Sequence, residues 1–169
     1  MPSQEEQYAP DISDLFTALS AEGSWYRIIG GYAFGFRARW RTTNDIDVRV
    51  DPTKEKAERA SAALRSFGAP PGHCRPAYFQ ERGTVPQIGV APNRIDLLTD
   101  EGGLAFEEAW RERVADQCGG GAIRCIGREH LAQTKRAAGR KRDLTDLAVL
   151  ERRPLRAAKR SNPRKKGKP

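Results

Sequence analysis

Ile28-Ile29-Gly30-Gly31-Tyr32, followed by Arg41-Thr42-Thr43-Asn44-Asp45-Ile46-Asp47-Val48-Arg49-Val50, decides how the chain is read. A short apolar strand enters a Gly-Gly turn, a short helix follows, and a second strand carries carboxylates at i and i+2. Strand side chains alternate between faces, so Asp45 and Asp47 share one face while Ile46, Val48 and Val50 share the other. The apolar face suits a core. The acidic face places two negative charges side by side, a cost unless a cation or a shared proton offsets it. Asp is disfavoured inside strands, so two of them in an apolar strand argue against mere solvation.

A third acid agrees. Asn93-Arg94-Ile95-Asp96-Leu97-Leu98 reads as a short strand with Asp96 opposite Ile95 and Leu97. If this strand lies beside Asp45–Asp47, three carboxylates converge. Such an all-oxygen set suits magnesium or manganese, and three converging acids suit a two-metal site for moving phosphoryl groups. Gly30 and Gly31 sit where strand becomes helix. Without a Cβ, their N–H groups can approach a phosphate closely, and the helix N-terminus favours negative charge.

These residues together resemble the DNA polymerase β-type nucleotidyltransferase superfamily, and within it the small bacterial AbiEii-like enzymes of toxin–antitoxin and phage-defence systems. The resemblance rests on Gly30-Gly31, on Arg41-x-Thr43-x-Asp45-Ile46-Asp47, and on the lone Asp96 of a later strand, and it runs from about Tyr26 to Leu150. It implies an α/β (α+β) fold, a mixed β-sheet flanked by helices with helices at the C-terminal end. It also implies two divalent ions held by Asp45, Asp47 and Asp96, and an NTP whose phosphates lie over Gly30-Gly31. Arg41 and Thr43 match the family's pattern beside the nucleotide. Lys135-Arg136-Ala137-Ala138-Gly139-Arg140-Lys141-Arg142-Asp143 resembles the family's C-terminal helix pair, with Lys135 as the phosphate contact and Arg142 where Lys is commoner. The reaction implied is transfer of an NMP to an acceptor hydroxyl with release of pyrophosphate, on RNA 3′ ends for a toxin paired with a cognate antitoxin protein.

Composition bounds the rest. The chain has 169 residues, 38% hydrophobic and 31% charged, which fits one globular domain with polar ends. No apolar run approaches the ~20 residues that span a bilayer, and the acidic, polar start is unlike a signal peptide, so a cytoplasmic location is expected. Cys74, Cys118 and Cys125 are irregularly spaced and form no zinc pattern. The net charge of +8 is unevenly placed: residues 152–169 hold nine Lys or Arg and no acid, leaving 21 basic against 22 acidic residues elsewhere. The division expected is a disordered N-terminus (1–10), a nucleotidyltransferase domain (11–151) and a disordered basic tail (152–169) able to gather an RNA acceptor through its phosphates.

Along the chain, Asp11 is expected to cap a helix with Ile12, Leu15, Phe16 and Leu19 inward. Tyr26–Ile29 reads as a strand, and 31–39 as a helix with Tyr32, Ala33 and Phe36 inward. Arg37 and Arg39 read as solvated surface. A helix from Asp51-Pro52 to Phe67 buries Ala57, Ala60, Ala63 and Leu64. Strands follow at 77–80 and 85–90, the second at an edge because of Pro86, with Gly83-Thr84 as the turn between them. A helix at 104–113, a glycine connector at 119–121, a strand at 122–126 and a helix at 128–139 complete the body. Asp143 is expected to cap the last helix.

A catalytically silent antitoxin or scaffold, an RNA-binding module driven by the tail, and a nuclease using the same acids are the rivals. The acceptor itself stays open among RNA, a protein hydroxyl and a small molecule.

Overall fold

The computed structural model describes residues 10–81, 86–118 and 121–152. In chain order they form α1 (Pro10–Ala21), β1 (Tyr26–Ile29), α2 (Gly30–Arg37), β2 (Asp45–Val50), α3 (Lys54–Phe67), β3 (Gln87–Ile88), β4 (Arg94–Leu98), α4 (Phe106–Arg111), β5 (Val114–Cys118), β6 (Gly121–Cys125), α5 (Arg128–Ala138) and α6 (Lys141–Arg152). The strands make one mixed six-stranded sheet in the order β3-β4-β2-β1-β6-β5. β2 runs antiparallel to β1 and parallel to β4, and β6 runs parallel to β1. The fold is therefore α/β, a mixed sheet flanked by helices, as the sequence led one to expect.

The alternation in β2 sets up the two faces. Ile46, Val48 and Val50 are no more than 1% exposed and join Ile28, Ile95 and Leu97 in the core. The inward stripe of α1, Ile12, Leu15, Phe16 and Leu19, belongs to the same core, and α1 packs on α3. Ala57, Ala60 and Ala63 are fully buried, and their small side chains let α3 sit close to the sheet. Asp47, Arg49 and Asp96 occupy the opposite face, together with Arg27 of β1.

On that face Arg27, Glu101 and Arg49 form a buried ionic triad. An Arg27 terminal nitrogen donates to Glu101, and Arg49 Nε lies 3.6 Å from the same carboxylate oxygen. Arg27 also donates to the Phe106 carbonyl at 3.0 Å and stacks its guanidinium 4.5 Å from the Phe106 ring. The triad ties the loop after β4 and the start of α4 to the middle of the sheet.

Several expectations are corrected. α1 starts at Pro10, ahead of the expected cap Asp11. α2 starts at Gly30, one residue before the expected Gly31; it buries Phe34 with Tyr32 and Ala33, and Phe36 packs partly buried against the core. Arg37 is not solvated surface: it pairs with Asp116 of β5. Residues 76–79 form a 3-10 turn instead of a strand, since Pro76 removes a ladder donor and favours the first turn of a helix. β3 does lie at the sheet edge. The strand Val114–Cys118 is not signalled by alternation, which Asp116 and Gln117 interrupt, yet it pairs with β6 throughout. Asp143 is the third residue of α6 and does not precede it. α6 continues through Arg152, one residue into the stretch expected to be a tail. The expected disordered N-terminus up to residue 9, the Gly83-Thr84 turn, most of the glycine connector and the basic segment 153–169 lie outside the described residues. No described helix is long and apolar enough to cross a membrane.

Candidate metal centre

Register brings the acids together. β2 and β4 run parallel with Asp45 beside Arg94 and Asp47 beside Asp96. Each strand presents its polar residues to the same face, so the carboxylates converge: one oxygen of each of Asp45, Asp47 and Asp96 lies within 4.8 Å of the others. Asp96 is 7% exposed, and Asp45 and Asp47 are half-buried. Burial, then repulsion from Asp45 and Asp96, pushes the Asp47 carboxyl up to about 7. An all-carboxylate donor set under this repulsion fits a hard divalent cation, whose charge removes the repulsion.

The glycine turn is built against the acids. Ile29 is the register partner of Asp47, and the chain turns directly into α2 at Gly30, where φ is +67°. A Cβ on Gly30 would stand 2.2 Å from Asp47 Oδ2, and one on Gly31 would stand 3.0 Å from Thr43 Oγ1. The N-terminus of α2 and the acid cluster thus share one wall. Gly30→Ala is expected to cost about 1–2 kcal/mol from the left-handed backbone alone. It also displaces Asp47, so denaturant unfolding and manganese binding should both weaken. Unchanged manganese affinity would show that the turn and the acid are not coupled.

The opposite wall comes from α5 and α6. Lys135, 6% exposed, sits 2.9 Å from Asp146 and 3.2 Å from Asp143. Asp146 also takes Arg41 through two hydrogen bonds, at 3.0 and 2.7 Å. Asp143 holds Arg140 at 2.7 Å. Burial works against the Asp143 carboxylate, yet Arg140 and Lys135 outweigh it and hold its pKa below the usual value. Asp143 and Asp146, one helical turn apart on α6, thereby fix Arg41, Lys135 and Arg140 as a cationic rim. Thr43 Oγ1 donates to Asp45 Oδ1 at 3.3 Å.

All eight residues singled out from the sequence, Gly30, Gly31, Arg41, Thr43, Asp45, Asp47, Asp96 and Lys135, line one cavity of about 600 Å³. Lys135 and Arg41 reach it already paired with α6 carboxylates. Five further residues line it: Arg94, Leu98, Arg140, Arg142 and Asp143. Arg94 carried a usable signal, because the i, i+2 rule that pairs Asp45 with Asp47 also puts Arg94 on the face of Asp96. Arg142 is marked by its place in the C-terminal motif, where Lys is commoner, and Arg140 by the basic run around it.

The class so defined is an α/β protein with a three-aspartate cluster that could hold a metal ion, set beside a glycine turn and faced by cations. No protein-family model matches the chain, and no curated protein matches it.

Proposed function

We propose that the protein is a metal-dependent nucleotidyltransferase of the polymerase β type, moving an NMP from an NTP to an acceptor hydroxyl and releasing pyrophosphate. One observation carries this reading: Asp45, Asp47 and Asp96 converge directly beside the Gly30-Gly31 turn, inside a cavity rimmed by Lys135, Arg140 and Arg142. A nuclease needs the acids but leaves the glycine turn and the basic rim without a task.

Asp45, Asp47 and Asp96 would hold magnesium or manganese, two ions in this reading, which supplies charge neutralisation at the transferred phosphate and acidifies the acceptor hydroxyl. The remaining work belongs to the chain. The backbone N–H groups at Gly30 and Gly31 receive phosphate oxygens at the head of α2. The basic rim offsets the charge of the triphosphate and of the departing pyrophosphate. Asp96, on its own strand, orients the acceptor hydroxyl and takes its proton. RNA is the acceptor we favour, gathered by the basic segment 152–169, and such an enzyme suits the toxin of a toxin–antitoxin pair.

A second reading, a silent scaffold of the same fold, draws on the observation that Arg94 already pairs with both Asp45 and Asp96. Activity separates the two. The full chain is incubated with each labelled NTP, magnesium or manganese, and either total RNA or lysate protein. Label should transfer to one acceptor class, and Asp96→Ala should lose turnover more than NTP binding. Absence of transfer from all four NTPs to either acceptor, with NTP still bound, favours the scaffold. Equal loss of binding and turnover in Asp96→Ala would make it an ordinary metal ligand.

A further inference from the structure

Arg94 precedes Asp96 by two residues on one face of β4 and stands directly beside Asp45 in the parallel register. Its Nε donates to Asp96 Oδ1 at 2.8 Å. One terminal nitrogen donates to Asp96 Oδ2 at 3.1 Å and to Asp45 Oδ2 at 2.6 Å. A single planar guanidinium therefore bridges carboxylates on two strands, in the fork geometry that only arginine offers. It engages both oxygens of Asp96 and one of Asp45, so a divalent cation held by these residues competes with it for Asp96. Asp47, between them in the cluster, accepts no side-chain hydrogen bond among the described residues.

We infer that Arg94 is a resident cation of the acidic cluster, holding Asp45 and Asp96 together until a divalent ion displaces it. Three converging carboxylates would otherwise push apart β2 and β4, and one fixed charge offsets most of that repulsion while keeping both ligands aimed inward. Metal binding is then an exchange of one cation for another at Asp45 and Asp96, with Asp47 as the ligand open from the start. Arg94 is a positioning residue in this account, and its removal has an unusual sign. A residue that merely ordered the ligands would weaken metal binding when lost. A resident competitor strengthens it.

The inference rests on the reading of the cluster as a metal centre, and the test separates the two. Manganese binding to the full chain is measured by calorimetry for wild type, Arg94→Gln and Asp47→Asn. Arg94→Gln should bind about tenfold more tightly, the scale of charge-assisted contacts at a half-exposed site. Without metal it should melt lower than wild type, and its melting point should rise more on adding manganese. In the wild type, the Arg94 side-chain Nε–H resonance, assigned by its absence in Arg94→Gln, should shift as magnesium is added and stop at saturation. Equal or weaker manganese binding by Arg94→Gln overturns the inference, as does an Arg94 resonance that stays in place at saturating magnesium. If neither wild type nor Arg94→Gln binds manganese, the cluster is not a metal centre and both readings fall.

Discussion

Asp47→Asn is expected to remove nucleotide transfer by about a thousandfold or more, on the order of 4 kcal/mol of transition-state stabilisation, while leaving the fold intact. Asp47 is the acid without a side-chain partner, so its charge serves no contact within the protein. Its environment opposes ionisation: burial comes first, then Asp45 and Asp96, against the weaker help of Lys135 and Arg140. Since its folded pKa of about 7 lies above the ordinary carboxyl value of 3.8, the metal-free folded chain binds more protons than the unfolded one between those values. Stability then falls as pH rises through that window. Asparagine removes the titration, so in EDTA the variant should match wild type near pH 4 and be at least as stable near pH 8. Urea denaturation across pH checks the stability, and label transfer from NTP checks the activity. A variant that transfers at the wild-type rate under limiting magnesium would remove Asp47 from the metal site. One that unfolds more easily than wild type at pH 8 would mean that the charge has a partner in the native state.

Glu101→Ala is expected to cause the largest loss of stability. Arg27 is fully buried and Arg49 nearly so, and Glu101 is the carboxylate that pairs with both. Deleting it leaves two guanidinium groups desolvated against the Phe106 ring and backbone carbonyls, with the charges of Asp100 and Asp51 acting on Arg49. Breaking a buried pair in this way costs about 3–5 kcal/mol. At this chain length each kcal/mol lowers the melting temperature by about 2–4 °C, so a fall of about 10 °C is expected. Glu101→Gln keeps the shape and one acceptor oxygen, so it should fall between the two. A loss below about 1 kcal/mol for Glu101→Ala would show that solvent reaches the arginines and that the triad behaves as a surface pair. Because Glu101 follows β4 by three residues, the destabilisation should also loosen the strand that carries Asp96.

Much of this protein is legible from local spacing. Alternation along Asp45–Val50 and Arg94–Leu98 assigns both strands, their core faces and their acidic faces, because strand geometry ties sequence parity to side. The Gly-Gly turn at the head of a short helix is legible for a similar reason: a positive φ beside a packed carboxylate tolerates no side chain. The helical stripes of α1 and α3 follow from 3.6-residue periodicity. Sequence and structure part where local signals conflict. Pro76 turned an apolar stretch into a 3-10 turn, and the polar residues of β5 hid a strand whose stability comes from its neighbour β6.

By itself, then, the sequence pointed to the α/β class, the two acidic strands and eight of the residues that meet in the cavity. It could not decide their pairing, because register between β2 and β4 is set by contacts between segments almost fifty residues apart. Only the tertiary structure put Asp47 beside Asp96 and Arg94 beside Asp45. Only it brought Asp143 and Asp146 of α6 onto Arg41, Lys135 and Arg140, and closed Glu101 over Arg27 and Arg49. Each of these is a charge partnership across the chain. A sequence states which charges exist, but the energy of a charge depends on what lies within a few ångströms of it, and that distance is a property of the folded molecule.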